Sequence, residues 1–347
     1  MKPSISNEAP GPALLVVQTS FLGDVVLTTP LITALRQQVA PRRLAVLVRP
    51  EAAPLVADHP DVDDVLLDDK RGRDGGPFGL LRTARRLRRE GFDLAVSPHR
   101  SLRTALLLAA ARIPRRVGFR ESRGAFLYHV RVPRVRRQHD VERNLALVTP
   151  FGAVPAHPAL HLPVTVAGAE RAAALVPPGA GPLVGVAPGS VWATKRWTPE
   201  GFAAVVAALS AEGARCVLLG GPDDVGLAED IRDRTGGRAT VLAGRTDLAT
   251  LVALVDRLAL LVANDSAPMH VACARGVPVV AVFCATTPAL GYGPYGPHAR
   301  VVEADIACRP CARHGGRRCP RGTEDCMRLV TAGAVLTAAR AALAEGR

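Results

Sequence analysis

The stretch ALLVVQTSFLGD, residues 13–24, decides the fold. Its first five residues, Ala13–Val17, form an apolar run of the length that is typical of a buried β-strand. A short polar loop follows and ends in Gly23-Asp24, and a helical pattern begins after Gly23. A buried strand, a glycine-containing loop and a helix together indicate the first unit of a parallel α/β sheet.

The same alternation of strand and helix continues along the chain. Further buried strands are predicted at Leu44–Val48, Val62–Leu67, Leu94–Ser97, Leu183–Ala187, Cys216–Leu219, Thr240–Leu242, Leu260–Val262 and Val279–Phe283. Helices are predicted around Leu80–Glu90, Leu102–Ala111 and Pro199–Glu212, and from Asp247 and Ala267 onward. Pro30 removes a backbone donor inside the first helical pattern, so that helix should be kinked or begin late. The alternation predicts doubly wound parallel sheets.

Length and composition predict two domains. The chain has 347 residues, of which 48% are hydrophobic and 22% charged, as in ordinary globular proteins. Val154–Pro182 is rich in Pro, Ala and Gly, with only a weak helical pattern at Ala167–Leu175, and indicates a linker. The predicted domains are residues 1–165 and 166–347, and the last helix could pack back on the first domain.

The hydropathy pattern disfavours membrane-spanning and secreted proteins. No apolar run approaches the roughly 20 residues that cross a bilayer. The best candidate, Leu248–Ala263, is interrupted by Asp256 and Arg257, and Ala13–Val17 is too short for a signal peptide. We therefore expect a soluble, cytoplasmic protein.

The net charge of +13 is unevenly distributed. Residues 1–165 carry +10 and residues 166–347 carry +3, and residues 82–143 hold 17 arginines against 5 acidic residues. Such an excess favours a polyanionic partner, whether nucleic acid, anionic lipid or a phosphorylated glycan. An arginine-rich codon bias is the alternative, but it does not explain why one half carries most of the charge. Nucleic acid is disfavoured because the chain lacks interleaved aromatics and RNA-binding patterns.

Four loops carry candidate chemistry, because each directly follows a predicted strand and the carboxyl ends of parallel strands face the ligand crevice. In the first loop, residues 20–24, Gly23 lets the backbone approach a ligand closely. Asp24 could act there as a general base. The alternative role for Asp24 is the N-cap of the helix that follows.

The other three loops suit a phosphorylated ligand. Residues 188–197 combine hydroxyls, glycine amides and a Lys–Arg pair, which suit a diphosphate, although a solvated basic loop anchored by two tryptophans is the alternative. Residues 264–270 begin an Ala-rich helix with Pro268 in its first turn, and the free amides there could bind a phosphate. Structural capping, with His270 packed inside the helix, is the alternative. Residues 220–223 carry little weight by themselves.

Together these loops resemble the ADP-heptose:lipopolysaccharide heptosyltransferases, which form glycosyltransferase family 9. Five motifs stand in the family's order and spacing: LVVQTSFLGDVVLTTP, PGSVWATKRW, LLGGPDD, LAGRTDL and NDSAPMHVA. The tail CRPC…C…CM is similar to the heptosyltransferase II branch. The chain departs from the family at Ala267, where many members have Gly, and in the longer gap from Cys311 to Cys319.

The resemblance implies an α/β, GT-B fold with two Rossmann-like domains facing across a cleft, the acceptor bound by the N-terminal one and the nucleotide-sugar donor by the C-terminal one. It implies an inverting transfer of L-glycero-D-manno-heptose from ADP-heptose to the phosphorylated heptosyl/Kdo inner core of lipopolysaccharide, with the second heptose expected and no metal or other cofactor. The enzyme would work at the cytoplasmic face of the inner membrane, in contact with its anionic surface. The alternatives are a related transferase for another nucleotide sugar and a non-catalytic nucleic-acid-binding protein.

The resemblance also implies roles for individual residues. Asp24 would be the catalytic base, and Lys195 would face the leaving diphosphate. The implied donor contacts are Ser20, Gly23, Ser190, Thr194, Lys195, Asp223, Asp265, Ser266, Ala267 and His270.

For the acceptor, the basic N-terminal half supplies Arg115, Arg116 and Arg120. They flank a short segment in which Gly118 should let the chain turn sharply and bring the guanidinium groups together, where they could bind phosphate or carboxylate in pairs. A second group is expected on a solvated or membrane-facing helix surface: Arg82, Arg85, Arg86, Arg88 and Arg89.

Four cysteines near the C-terminus, Cys308, Cys311, Cys319 and Cys326, could hold zinc or an iron–sulfur cluster. Their spacing is not a repeated CxxC pair, and the family resemblance implies no required metal. A cytoplasmic location disfavours stable disulfides. We therefore expect a structural loop with reduced thiols rather than a metal site.

Overall fold

The structure, a computed structural model, describes residues 11–156 and 158–346. The chain forms two compact units. The first holds the chain up to Val135 together with Val141–Ala159, and the second holds Arg136–Asp140 and the chain from Leu160 onward. Each unit contains a six-stranded sheet in which neighbouring strands are parallel.

The N-terminal part of the chain winds around the first sheet. Its strands β1–β6 are Ala13–Val17, Arg43–Val48, Asp64–Leu67, Leu94–Ser97, Arg115–Phe119 and Val130–Val132. Its helices α1–α5 are Leu22–Val26, Thr29–Val39, Gly76–Arg89, Leu102–Ala110 and Asp140–Leu145. The strand order β3-β2-β1-β4-β5-β6 places the topological switch between β1 and β4, so the loops after these two strands diverge and leave a crevice.

The C-terminal part repeats this winding. Its strands β7–β12 are Leu183–Ala187, Arg215–Leu218, Ala239–Val241, Leu260–Asn264, Val279–Phe283 and Ala299–Glu303. Its helices α6–α12 are Val166–Leu175, Pro199–Ala211, Val225–Arg234, Leu248–Asp256, Ala267–Ala274, Asp325–Arg328 and Ala332–Glu345. The order β12-β11-β10-β7-β8-β9 places the second switch between β7 and β10.

Each sheet is buried on both faces, which explains why its central strands are continuous apolar runs. Every residue of β1, β7, β10 and β11 is buried. On one face of the first sheet, α3 and α4 bury Leu87 and Leu108 against Leu15 and Leu47. The core of each unit is therefore aliphatic, as the composition requires. The doubly wound α/β fold class is confirmed.

The first helical pattern, expected to be kinked at Pro30 or to begin late, is divided into two helices. Helix α1 ends at Val26, and α2 begins at Thr29 with Pro30 as its second residue. In the first turn of a helix the missing N–H costs nothing, since that group would have no intrahelical acceptor. The proline therefore starts a second helix instead of kinking one long helix.

The sequence analysis did not predict the strands β5, β6 and β12. The position of β5 also contradicts the predicted turn between the acceptor arginines. Gly118 lies inside β5, paired in parallel with β4 and β6, so the predicted sharp turn at this residue is wrong. The glycine is needed for packing: a Cβ there would lie 2.7 Å from the ring of Tyr128. The flanking arginines are consequently spread along a strand and not gathered by a turn.

The segment predicted as a linker contains α6, which packs against α9. The final helix α12 packs against α7 and against β10, β11 and β12 of the second sheet. Among the described residues, no helix is both long and apolar enough to cross a membrane.

Candidate functional site

Lys195 and Asp265 form a buried ion pair at the carboxyl edge of the second sheet. Lys195 ends the short 3₁₀ turn Ala193–Lys195 in the loop after β7, and Asp265 directly follows β10. Lys195 Nζ lies 2.6 Å from Asp265 Oδ2, and the side chains are only 15% and 6% exposed. Because β7 and β10 are neighbours at the switch point, the sheet itself brings the two predicted loops together.

Asp265 is held in place by further donors. The Thr286 hydroxyl donates to Asp265 Oδ2 over 2.7 Å. The Ser190 hydroxyl donates to the backbone carbonyl of Asp265 over 3.4 Å. The carboxylate therefore has a fixed position, and it orients the ammonium group of Lys195 at the mouth of the crevice.

The loop after β7 is anchored at both ends by one buried side chain. Asn264 Oδ1 accepts the backbone N–H of Trp197 over 2.9 Å, and Asn264 Nδ2 donates to the carbonyl of Pro188 over 2.7 Å. Trp197 is 2% exposed, and its indole N–H donates to the Val330 carbonyl over 3.0 Å. Trp197 thus has the anchoring role of the alternative interpretation, while Lys195 remains at the crevice.

The cysteine-containing segment braces the middle of this loop. The Thr194 N–H donates to the Gly316 carbonyl over 3.1 Å, and the Gly316 N–H donates to Thr194 Oγ1 over 2.8 Å. The Cys311 N–H also donates to the carbonyl of Ala285 over 3.0 Å. Thr194 was predicted as a donor contact, and its hydroxyl is engaged here in holding the loop.

The third predicted loop begins α10. Ser266 is its N-cap residue, and the hydroxyl donates back to the Asn264 carbonyl over 3.3 Å. Ala267 is the first helical residue, Pro268 has no backbone N–H, and the Met269 N–H donates to the Ser266 carbonyl over 3.2 Å. The Ala267 N–H and the positive end of the helix therefore remain for a phosphate at the same sheet edge as Lys195.

His270 lies in α10, one turn further on. It is 5% exposed, and its Nδ1 is buried without a hydrogen-bond partner among the described residues. Burial lowers the pKa of His270 to about 4, so the ring is neutral near pH 7. A buried, unpaired ring nitrogen costs free energy unless a ligand satisfies it. His270 is therefore placed to hydrogen-bond a ligand as a neutral group.

The fourth loop contributes Asp224, which the sequence analysis did not single out. A Cβ at Gly189 would lie 2.3 Å from Asp224 Oδ1, and Asp224 Oδ2 accepts the Gly221 N–H over 3.0 Å. Asp224 thus closes the gap between the loops after β7 and β8. The predicted neighbour, Asp223, is exposed on the same short turn, Pro222–Asp224.

In the first unit, Asp24 is the third residue of α1, in the loop-to-helix junction after β1. Its Oδ2 accepts the Phe21 N–H over 3.1 Å, so this carboxylate does help to cap the helix. Phe21, and not Asp24, is the N-cap residue. Ser20 and Gly23 lie on the same half-buried stretch. The side chain that could act as a base is thereby fixed in orientation by its own helix.

A group of basic side chains surrounds Thr19 at the same edge. Lys70 Nζ donates to Thr19 Oγ1 over 3.4 Å, and His99 Nδ1 lies 3.2 Å from that oxygen. Burial, together with the nearby cations Arg49 and Arg103, lowers the pKa of Lys70 to about 8. Burial and the charge of Lys70 lower the pKa of His99 to about 3.

These residues repel one another, and Arg49 is 6% exposed with its Nε buried and unpaired among the described residues. Arg103 forms an ion pair with the buried Asp68, and Arg49 Nη1 lies 3.0 Å from Glu51 Oε1. Lys70 forms no ion pair with a carboxylate among the described residues, so the group could accept an anion. The sequence could have pointed to this group. Arg49, Lys70 and His99 each follow the carboxyl end of a strand, as the four predicted loops do.

The three predicted acceptor arginines are not brought together. Arg115 begins β5 at the amino edge, with its guanidinium carbon 5.3 Å from the ring centre of Phe151. Arg116 Nε donates to the carbonyl of Leu127 over 2.9 Å. Arg120 is exposed and follows the carboxyl end of β5. It lies four residues beyond Arg116, which is roughly 13 Å along an extended strand. Arg120 alone shares an edge with Asp24.

All seven cysteines are free thiols. Within residues 11–156 and 158–346, no three His, Cys, Asp or Glu side chains are placed so that they could hold a metal ion. Backbone N–H groups of Glu324 and Arg321 point at the Cys319 sulfur and lower the pKa of this thiol. Hydrogen bonds therefore shape this segment locally.

Comparison with known proteins agrees with this geometry. The model of glycosyltransferase family 9 (heptosyltransferase) matches residues 80–319. Lipopolysaccharide heptosyltransferase 3 of Escherichia coli strain K12 is 28% identical over 283 residues, which cover 77% of this chain and 80% of that protein. Lipooligosaccharide heptosyltransferase 2 of Haemophilus influenzae is 27% identical over 291 residues, covering 79% and 84%.

A crystal structure of a family 9 glycosyltransferase from Veillonella parvula is 25% identical and superposes with a TM-score of 0.87, covering 97% of this chain and 99% of that one. The two Rossmann-like sheets are therefore those of a GT-B enzyme, as expected. The family model spans more than half of the sequence. The chain belongs to glycosyltransferase family 9, the heptosyltransferases.

Proposed function

We propose that this enzyme transfers L-glycero-D-manno-heptose from ADP-heptose to the inner core of lipopolysaccharide, with inversion, and that it adds the second heptose. The Lys195–Asp265 pair beside the start of α10 carries this proposal, because it combines an oriented cation with the positive end of a helix at a switch point. The relatives named heptosyltransferase 2 and the four-cysteine tail support the second heptose as the addition.

The C-terminal part, residues 166–347, would bind the donor. The diphosphate would accept hydrogen bonds from the Ala267 N–H at the start of α10 and from Lys195, while His270 Nδ1 and Ser190 would contact oxygens nearby. Asp223 would approach the nucleoside. As the bond between the sugar and ADP breaks, negative charge grows on the diphosphate, and Lys195 would stabilise it without a divalent metal ion.

The N-terminal part, residues 1–165, would bind the acceptor. Asp24 would take the proton from the acceptor hydroxyl while its oxygen forms the bond to the anomeric carbon and ADP departs from the opposite face. The hydrogen bond from the Phe21 N–H would hold the carboxylate in a fixed orientation for this proton transfer. Ser20 and Gly23 would shape the approach.

Lys70 and Arg49 would bind an anionic group of the acceptor, with Arg120 at the same sheet edge. Burial, and after it the charges of Arg49 and Arg103, depress the pKa of Lys70, and a phosphate or a Kdo carboxylate beside it would favour the charged ammonium. Arg115 and Arg116 lie at the other end of β5 and would contribute little. Because the acceptor is lipid-linked, the enzyme would work at the cytoplasmic face of the inner membrane.

The direct test is ADP release from ADP-heptose with two core acceptors, one carrying Kdo alone and one carrying Kdo and the first heptose. We expect turnover with the second acceptor and mass-spectrometric addition of one heptose to it. Turnover with another nucleotide sugar instead would favour a related envelope transferase. Failure of every sugar donor would overturn the assignment.

A further inference from the structure

Five large apolar side chains are exposed on neighbouring elements of the first unit. Phe78 and Phe126 are 86% and 68% exposed, far above what a core-forming residue shows. The other three, Leu81, Leu102 and Leu106, are between 40% and 45% exposed. We call these five residues the apolar tip.

The elements that carry the apolar tip pack against one another. Helix α3, with Phe78 and Leu81, contacts α4, with Leu102 and Leu106, and α4 contacts the short turn that holds Phe126. The approach of that turn is close, because a Cβ at Gly124 would lie 3.3 Å from Leu102 Cδ1. The exposed side chains therefore belong to one surface.

This surface lies beside the proposed acceptor site. Phe78 is the third residue of α3 and Leu102 the first of α4, and helix starts lie at the carboxyl edge of a parallel sheet. The starts of the two helices are tied together, since Arg103 Nη2 donates to the Asp74 carbonyl over 2.8 Å. Asp24 and Lys70 follow carboxyl ends of strands in the same sheet. Phe78 and Leu102 therefore border the edge where the acceptor would bind, while Phe126 lies further from that edge, next to Leu127, whose carbonyl accepts from Arg116.

Positive charge surrounds the tip. Residues 76–131 contain thirteen arginines and three acidic residues. Arg85 and Arg89 are exposed and lie on the same face of α3 as Phe78 and Leu81, at helical spacing. Helix α4 exposes two leucines and offers no acidic residue. An apolar end with basic side chains around it is the composition of surfaces that insert into anionic lipid headgroups.

We propose that the apolar tip inserts into an anionic lipid bilayer, with Phe78 and Phe126 as anchors and the arginines of α3 contacting headgroup phosphates. The inference deepens the proposed function, since it says how the enzyme reaches a lipid-linked acceptor. A second copy of the chain does not suit the surface, because a symmetric contact would place two strongly basic faces against each other.

Vesicle flotation tests the proposal with no catalytic readout. The full chain should bind vesicles that contain phosphatidylglycerol and bind vesicles of pure phosphatidylcholine weakly, and salt should reduce binding. Phe78→Ser with Phe126→Ser should lower the partition coefficient roughly tenfold or more, since each phenyl ring loses its transfer into lipid. The matched control is Val166→Ser with Leu329→Ser, whose side chains are 78% and 58% exposed in the second unit.

The charge contribution is tested separately. Arg85→Gln with Arg89→Gln should weaken binding to anionic vesicles, whereas Arg257→Gln with Arg328→Gln should not. Equal binding by the serine pair and the wild-type chain would overturn the proposal. So would a dimer in solution that the serine pair dissociates, because the tip would then be a contact between copies.

Activity assays distinguish this inference from the proposed function. The serine pair should keep wild-type turnover with a deacylated, water-soluble core acceptor and lose turnover with an acceptor embedded in vesicles. If the wild-type chain binds anionic vesicles through the tip but transfers no heptose, the function fails and the membrane surface stands. If the wild-type chain turns over the soluble acceptor but does not bind vesicles, the proposed function stands and the membrane surface fails.

Discussion

Lys195 Nζ lies 2.6 Å from Asp265 Oδ2, and the same carboxylate oxygen accepts a hydrogen bond from Thr286. Asp265 therefore stays in place when a ligand arrives, while the lysine, on its long side chain, can divide its three N–H donors between the carboxylate and a diphosphate. An ion pair of this kind keeps a largely buried cation in a defined orientation. The ion pair also disfavours conformations in which the Lys195 side chain turns out into solvent.

Lys195→Ala should weaken ADP-heptose binding and lower turnover together, by roughly 10²–10³-fold in kcat/KM, because the lysine faces charge that is present in the ground state and grows later. It should also reduce the free energy of unfolding by about 3 kcal/mol, since Asp265 is left buried and unpaired. Adding Asp265→Asn should recover part of the stability and none of the activity. Full activity in the single variant would exclude Lys195 from the donor site.

Asp24→Asn should leave donor affinity unchanged and lower turnover by roughly 10²–10⁴-fold, the usual effect of losing a positioned general base. The amide oxygen can still accept the Phe21 N–H, so the free energy of unfolding should change by less than about 1 kcal/mol. Donor binding by calorimetry and steady-state kinetics separate the two effects.

The matched variant is Asp24→Ala, which removes both the base and the capping acceptor. It should be as inactive as Asp24→Asn and less stable. Near-normal turnover of Asp24→Asn combined with a destabilised Asp24→Ala would show that the carboxylate only caps α1.

Lys70 should make acceptor binding depend on pH. Its ammonium is charged below a pKa of about 8 and neutral above it, so the KM for an anionic acceptor should rise as the pH passes through 8. The rise should approach about tenfold per pH unit above that value. Lys70→Arg should abolish the dependence, because arginine stays protonated.

A change in folding stability with pH cannot account for the expected rise in the acceptor KM. Between about pH 8 and the ordinary lysine value of 10.5, the unfolded chain binds more protons at Lys70 than the folded chain does. The contribution of Lys70 to the unfolding free energy therefore increases with pH while acceptor binding weakens. A flat KM in the wild-type enzyme would place the anion elsewhere.

Transfer should persist in excess EDTA, and the purified protein should contain less than stoichiometric zinc and iron. The physical reason is that Lys195 and the first turn of α10 supply the positive charge at the diphosphate, while the cysteine segment is held by hydrogen bonds such as that from the Cys311 N–H to Ala285. Metal analysis of protein prepared without chelator is the measurement. One zinc or iron per chain, lost together with activity, would contradict the expectation.

The strands that could be predicted are those with two covered faces. Ala13–Val17 and Val279–Phe283 were located without error, because burial on both sides demands an uninterrupted apolar run. The edge strands Val130–Val132 and Ala299–Glu303 lack that demand. Arg115–Phe119 is paired on both sides but was missed for a different reason. Arg115–Phe119 begins with two arginines, and Gly118 resembles a turn residue until Tyr128 is seen against it.

The same reasoning separates the site residues that were found from those that were missed. Lys195 and Asp265 belong to sequence motifs whose residue types indicate phosphate binding without knowledge of the fold. Lys70 and His99 gain their significance from meeting at Thr19. That meeting depends on strand order, which puts β4 beside β1 and β3 two strands away, and periodicity does not encode strand order.

The reciprocal hydrogen bonds between Thr194 and Gly316 join parts of the chain that are 122 residues apart. A chimera of two heptosyltransferases could exchange the loop after β7 without the segment around Gly316 that braces it. The loop and the segment would then come from different proteins, and their contacts would not match. Chimeric enzymes built to alter donor choice should therefore inherit Leu183–Arg328 as a single block. Breakpoints inside this block should yield folded proteins with a misplaced lysine, whereas breakpoints before β7 should be tolerated.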